Sequence, residues 1–98
     1  MKIEKNFSEG KLTLKPFGRL DTVTSPELDA VIDECISDAK ELIIDCSQIE
    51  YISSAGLRVL LKVQKIMNSN GTMKLTGVKD AVMEIFEITG FIDILTIE

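Results

Sequence analysis

A mixed α/β domain is the fold this chain predicts, on three observations. Two short strand-like segments come first, the second of alternating polarity, joined by Glu9-Gly10, a hairpin signal. After them, apolar strand-like runs alternate with amphipathic helical patterns, the order that builds a parallel sheet through crossover helices. Leu42-Ile43-Ile44 is a continuous run of strand-forming apolar residues, as a strand buried on both faces needs. Together they predict one domain over residues 1–98, with a mixed sheet of four to five strands and three to four helices.

In order along the chain, residues 2–7 read as a weak first strand. Residues 11–17 alternate apolar and polar from Leu12 to Lys15, as a half-buried strand does. Pro16 predicts an edge position or a bulge there, because it has no N–H to donate. Gly18 to Val23 reads as a loop. Thr24-Ser25-Pro26-Glu27 then predicts a helix start, with Thr24 and Glu27 spaced as a capping box and Pro26 in the first turn. Leu28, Val31, Ile32, Cys35 and Ile36 follow at helical spacing, with Asp29, Asp33, Glu34 and Asp38 around the rest. After the Leu42–Ile44 strand comes a short loop and a helix from about Ser54 to Asn68. That helix is apolar over most of its surface, apart from Arg58, Lys62 and Lys65. These three predict a solvated basic ridge, or else a docking edge for an acidic patch. Asn70-Gly71 predicts a left-handed cap. Met73 to Thr76 reads as a strand, Asp80 as the cap of a third helix facing Val82, Ile85 and Phe86 inward, and Gly90 as its end. The apolar tail from Phe91 to Ile97 closes as a last strand or a docked short helix.

Composition bounds the function. Apolar residues are 45% of the chain and charged residues 28%, ordinary for a globular domain. The Met1–Lys5 start has no apolar run behind it, so no signal peptide is expected. No run reaches the roughly 18 apolar residues of a membrane span. Both point to the cytoplasm and to no membrane insertion. A net charge of −5 argues against nucleic acid as a partner, since phosphate backbones are held by clustered Lys and Arg. There are two cysteines and no histidine. Cys35 and Cys46 are expected to be reduced packing residues, with a disulfide between them the lesser alternative. Without histidine they make no structural zinc site, and no Ser-His-Asp or Cys-His catalysis can be assembled. No cofactor is expected.

The segment from Asp45 to Leu61 carries the most functional information. It leaves the central strand and enters a helix at Ser53-Ser54-Ala55-Gly56-Leu57. A hydroxyl residue at a helix start ordinarily caps backbone N–H groups. Here two serines are followed by Ala-Gly, so a partner protein can reach a hydroxyl there. A phosphate added at that place would meet first-turn N–H groups and the positive end of the helix dipole.

Three signatures in this order resemble the STAS domain, and within it the bacterial anti-sigma factor antagonists. Gly18-Arg19-Leu20-Asp21 before a helix is similar to the family's Gly-x-Leu-Asp loop. Leu42-Ile43-Ile44-Asp45-Cys46-Ser47 leading into Tyr51-Ile52-Ser53-Ser54-Ala55-Gly56-Leu57 resembles its strand, loop and phosphorylation-site helix. Ile85-Phe86-Glu87-Ile88-Thr89-Gly90-Phe91 resembles the end of its last helix. The resemblance covers nearly the whole chain. It implies a switch and no enzyme: a domain that binds an anti-sigma factor, itself a serine kinase, when unphosphorylated, and releases it when phosphorylated, with a serine phosphatase resetting it. By position, the phosphorylated residue would be Ser54, with Ser53 the alternative. Ser53 stands where relatives often carry aspartate. Asp21 would lie beside Ser54, and Asp21, Thr22, Ser53, Ala55, Gly56, Leu57 and Arg58 would support the partner surface. On the residues alone, Leu57 fits core packing equally well, and Asp21 fits a loop-to-backbone hydrogen bond.

Two other readings compete. A Ser54 hydrolase would need a base, and only a Ser-Lys pair is open to it. A constitutive STAS scaffold, such as a regulatory subunit of a lipid-transport or signalling assembly, would keep the fold without phosphorylation.

Overall fold

The computed structural model describes residues 1–98, with six strands and three helices in the order β1 (Ile3–Ser8), β2 (Lys11–Pro16), β3 (Gly18–Leu20), α1 (Ser25–Cys35), β4 (Glu41–Asp45), β5 (Ile49–Ile52), α2 (Ser54–Asn70), β6 (Thr72–Thr76) and α3 (Asp80–Thr89). One sheet has the order β1-β2-β4-β6, with β1 antiparallel to β2 and the other pairs parallel. The predicted mixed sheet is therefore four-stranded, with three helices.

The hairpin follows from its turn. Glu9 and Gly10 both take positive φ, 52° and 81°, as the tightest two-residue turns require. Pro16 sits in an interior strand, yet it lies beyond Leu14, where the pairing of β2 with β4 ends. Only β1 flanks it, so the missing N–H breaks no ladder.

Strand β4 is central, and Leu42, Ile43 and Ile44 are all buried on it. On the covered face, Leu12, Leu14, Leu42, Ile44, Met73 and Leu75 meet the inner stripes of the helices, including Leu28 and Ile32 of α1 and Leu60, Val63 and Met67 of α2. A core of 22 buried residues results. Lys62 of α2 reaches Asp29 at 2.9 Å and Asp33 at 3.5 Å on α1, tying the two helices together at the surface. The middle of the predicted basic ridge is thus committed to α1.

Several local expectations are corrected. The segments read as loops at 18–20 and 49–52 are strands, and they pair with each other in parallel as a separate two-stranded ribbon. Strands of three and four residues leave too little alternation to read. The Thr24/Glu27 capping box does not form: Thr24 makes no side-chain cap to the helix, and Glu27 instead meets the N-terminal ammonium at 2.8 Å. Gly71 is extended rather than left-handed, at φ 167°. Its need for glycine is contact, since a Cβ there would run into the Lys40 carbonyl. Helix α2 continues to Asn70, two residues beyond the expected end. Asp80 is the first helical residue of α3 and Lys79 occupies the cap position. Gly90 ends α3 in the left-handed conformation, φ 81°, as expected. The tail forms a short 3-10 turn (Phe91–Asp93) and then a single parallel bridge from Ile97 to Leu75. No helix is long and apolar enough to cross a membrane.

Candidate functional site

The ribbon β3–β5 positions the site. Leu20 pairs with Ile52, and both side chains are buried. One residue on, the Ser53 N–H donates to the Leu20 carbonyl at 2.9 Å. That bond pins the start of α2 to the residue preceding Asp21. Asp21 and Ser53 are therefore the residues that follow directly on a paired position of the ribbon.

Asp21 is fixed in its loop by several contacts. Its Oδ1 accepts from the N–H of Val23 at 3.0 Å and of Thr24 at 3.1 Å, and its carbonyl accepts from the Ser25 N–H at 2.8 Å. The Thr24 hydroxyl donates to the Arg19 carbonyl at 2.6 Å and accepts from the Asp21 N–H at 2.9 Å. Asp21 thus does the capping that Thr24 and Glu27 were expected to do. The backbone hydrogen bond from Thr24 is the main reason its carboxyl is held below the ordinary value of 3.8; the Val23 N–H, the Thr24 hydroxyl and the Arg19 charge act in the same direction. Arg19 lies 3.7 Å from the Asp21 carboxylate and stacks over the Tyr51 ring at 4.3 Å. Arg19 and Tyr51 are register partners across the ribbon, so this outer face is built from both strands. Neither was among the expected site residues. Their pairing is invisible until 18–20 and 49–52 are recognised as strands.

The two serines differ. Ser53 is extended, with φ −99° and ψ 177°, and occupies the cap position of α2. Its hydroxyl oxygen is buried and makes no hydrogen bond. Ser54, the first helical residue, is exposed. The N–H groups of Ser54, Ala55 and Gly56 precede the first bond of the helix ladder, from the Leu57 N–H to the Ser53 carbonyl at 3.0 Å.

Gly56 and Leu57 are buried, so Leu57 takes the core-packing alternative and Gly56 lies beneath the surface it was expected to support. A Cβ at Gly56 would come within 2.7 Å of Ile52 Cγ1 and 2.9 Å of the Leu20 carbonyl oxygen. Glycine there lets α2 seat directly on the ribbon, and Leu57 anchors the same turn in the core. They position Ser54 from beneath. The exposed set consists of Arg19, Thr22, Val23, Tyr51, Ser54 and Arg58, with Asp21, Ser53 and Ala55 half-buried among them. Arg58 lies one turn after Ser54, on the same helix face.

The cysteines are both free, Cys46 buried and Cys35 partly so. Burial, with the Asp45 charge adding to it, pushes the Cys46 thiol up to about 12.

Comparison with known proteins agrees with this fold. The STAS domain family model matches residues 2–98. A candidate anti-sigma factor antagonist of Bordetella bronchiseptica, BtrV, is 31% identical over 99 aligned positions, covering 99% of this chain and 85% of that protein. An anti-sigma-B factor antagonist of Staphylococcus aureus is 29% identical, covering 97% and 90%. Among solved structures, an anti-sigma factor antagonist from Mycobacterium paratuberculosis superposes with a TM-score of 0.88 at 22% identity, over 98% of this chain and 83% of that one. The Bacillus cell-fate determinant SpoIIAA in its phosphorylated form superposes at 0.76 with 15% identity, over 99% and 91%. With the family model matched from residue 2 to residue 98, the chain belongs to the STAS domain family.

Proposed function

We propose that this chain is an anti-sigma factor antagonist that works as a phosphorylation-controlled switch in the cytoplasm. Unphosphorylated, it binds an anti-sigma factor that is also a serine kinase, and so frees a sigma factor. Phosphorylated on Ser54, it lets that partner go, and a serine phosphatase restores it. The reading rests above all on one observation: Ser54 is exposed at the first position of α2, whose start is bonded to Leu20, the residue before Asp21, whereas the Ser53 hydroxyl is buried. That contrast favours Ser54 over Ser53 as the kinase's substrate.

The chemistry of release follows from charge. A phosphate brings about −1.5 to −2 charge at neutral pH. The first-turn N–H groups and the helix dipole accept it locally, so α2 has no reason to unwind. Asp21, whose carboxyl is held ionised by its loop, adds a fixed negative charge nearby. A partner groove shaped for the neutral hydroxyl then faces a desolvation cost and repulsion. A loss of about 2–3 kcal/mol of binding weakens the complex roughly 30- to 150-fold.

The test is Ser54→Asp, assayed for binding to the purified kinase by calorimetry and for stability by thermal melting. The expected outcome is loss of binding with a melting temperature close to wild type, because an acidic side chain is favourable at a helix N-terminus. Wild-type affinity in Ser54→Asp rules out release by charge.

A further inference from the structure

The motif at the end of α3 has no part in the Ser54 chemistry, yet it leaves the molecule's main unexplained apolar surface. Val82 and Phe86 of α3 are buried. Ile88 in its last turn is 78% exposed, and Ile94 and Ile92 in the segment that follows are 48% and 38% exposed. A single exposed isoleucine is ordinary, but three within seven positions, on elements packed against each other, form a patch.

The patch is rigid. The Leu95 side chain is buried, its N–H donates to the Phe91 carbonyl at 2.9 Å, and the strand-like tail is bonded to Leu75 through Thr96 at 2.8 Å and Glu98 at 2.9 Å. The isoleucines therefore point outward from a fixed backbone. They are not the ends of a frayed terminus.

Charge identifies what covers them. From 79 to 98 the chain has one lysine against Asp80, Glu84, Glu87, Asp93 and Glu98; Glu98 is paired with Lys74 at 3.2 Å, so the other five charges leave a local charge of −3. Glu84, Glu87 and Asp93 are exposed around the isoleucines. A second copy of this chain would bring a like-charged rim against this one, and an anionic lipid surface would do the same. A protein surface with an apolar centre and a Lys/Arg rim is complementary in both respects. Helix α3 also packs on β5, the strand that holds Tyr51 and leads into Ser53–Ser54. The helix that carries Ile88 is thus seated on the element that leads into the switch.

We infer that Ile88, Ile92 and Ile94, ringed by Glu84, Glu87 and Asp93, form a second docking surface. Its occupant is a basic-rimmed apolar face of the same anti-sigma factor that reads Ser54. This rests on the function proposed above. It divides recognition into two parts: the α3 surface contributes affinity in both phosphorylation states, and the Ser54 surface contributes the switch.

The experiment measures binding of the full chain to the purified anti-sigma factor kinase encoded in the same genome. It compares wild type, Ser54→Asp, Ile88→Ser with Ile92→Ser, and Glu84→Gln with Glu87→Gln, at low and high salt. The isoleucine variant is expected to bind about ten- to a hundredfold more weakly while still melting cooperatively, with a modest lowering of the melt from Ile92, which is 38% exposed against 78% for Ile88. The glutamine variant is expected to lose most of the salt dependence and to associate more slowly. Wild-type affinity in the isoleucine variant, with binding still lost in Ser54→Asp, overturns the second surface and leaves the switch standing. Tight binding by Ser54→Asp together with weak binding by the isoleucine variant overturns the switch and supports the surface. A wild type that binds no such kinase overturns both. Self-association of wild type that is abolished in the isoleucine variant also overturns the inference, by making the occupant a second copy.

Discussion

At the residue scale, the decisive contrast is between two neighbouring hydroxyls, and it is legible only in three dimensions. The sequence shows Ser53-Ser54 at a helix start; which hydroxyl faces solvent depends on the extended conformation of Ser53 and its bond to Leu20. Asp21 illustrates the same point. Read as a sequence, it fits either a partner surface or a loop bond, and the structure shows the loop bond in full. Its lowered pKa has a consequence for pH. A carboxylate whose folded pKa is depressed stabilises the fold above its ordinary value and stops doing so as pH falls through the folded one. Asp21→Ala is therefore expected to melt below wild type at neutral pH, with the difference shrinking as pH drops below 3.8. Melting curves of both proteins across that range check it. The cysteines give a second test. With its thiol raised to about 12 and buried, Cys46 is not a nucleophile at neutral pH. Native protein should react with a thiol reagent at Cys35 only, and both thiols should react after denaturation. Rapid labelling of Cys46 in the native state would contradict its burial.

At the element scale, helices α1, α2 and α3 and strands β1, β2, β4 and β6 were readable because each has enough length for its period to show. The ribbon β3–β5 was not. Its strands have three and four residues, and their partners lie about thirty positions apart, so no local pattern marks them. Yet the ribbon is the element that ties the start of α2 to the residue before Asp21. Its fit to α2 depends on Gly56, where any Cβ strikes Ile52 and Leu20. Gly56→Ala is expected to lower stability by about 1–3 kcal/mol, as overpacking does, and to weaken partner binding by tilting Ser54 out of place. Denaturant unfolding and the kinase-binding assay measure the two effects. Stability equal to wild type would mean that α2 can slide on the ribbon without cost. Gly71 was recognised as a helix end for the wrong physical reason. It accommodates the Lys40 carbonyl rather than a left-handed turn, so Gly71→Ala should destabilise even though its φ is open to any residue.

At the scale of the whole molecule, fold class and family were legible because the order of elements and three spaced signatures agree, and agreement across levels marks a well-specified fold. What stayed hidden was the distribution of surface. Net charge of −5 reads as a solubility property, yet the carboxylates gather in two stretches, six with no Lys or Arg over 21–38 and five with one lysine over 79–98. The basic ridge on α2 reads as a solvated face or a docking edge, and neither reading shows that Lys62 is paired to α1. The molecule is then a rigid core with an outward serine and no catalytic base of histidine type, a form suited to being read by a partner. The most direct test of that account is phosphorylation with intact-mass readout, in which wild type, Ser53→Ala and Ser54→Ala are each incubated with ATP and the serine kinases of the same genome. The switch predicts one added phosphate on wild type and Ser53→Ala and none on Ser54→Ala. Phosphate retained on Ser54→Ala, or no phosphate on wild type with any kinase, would contradict it, and the second result would leave a constitutive scaffold as the function of this fold.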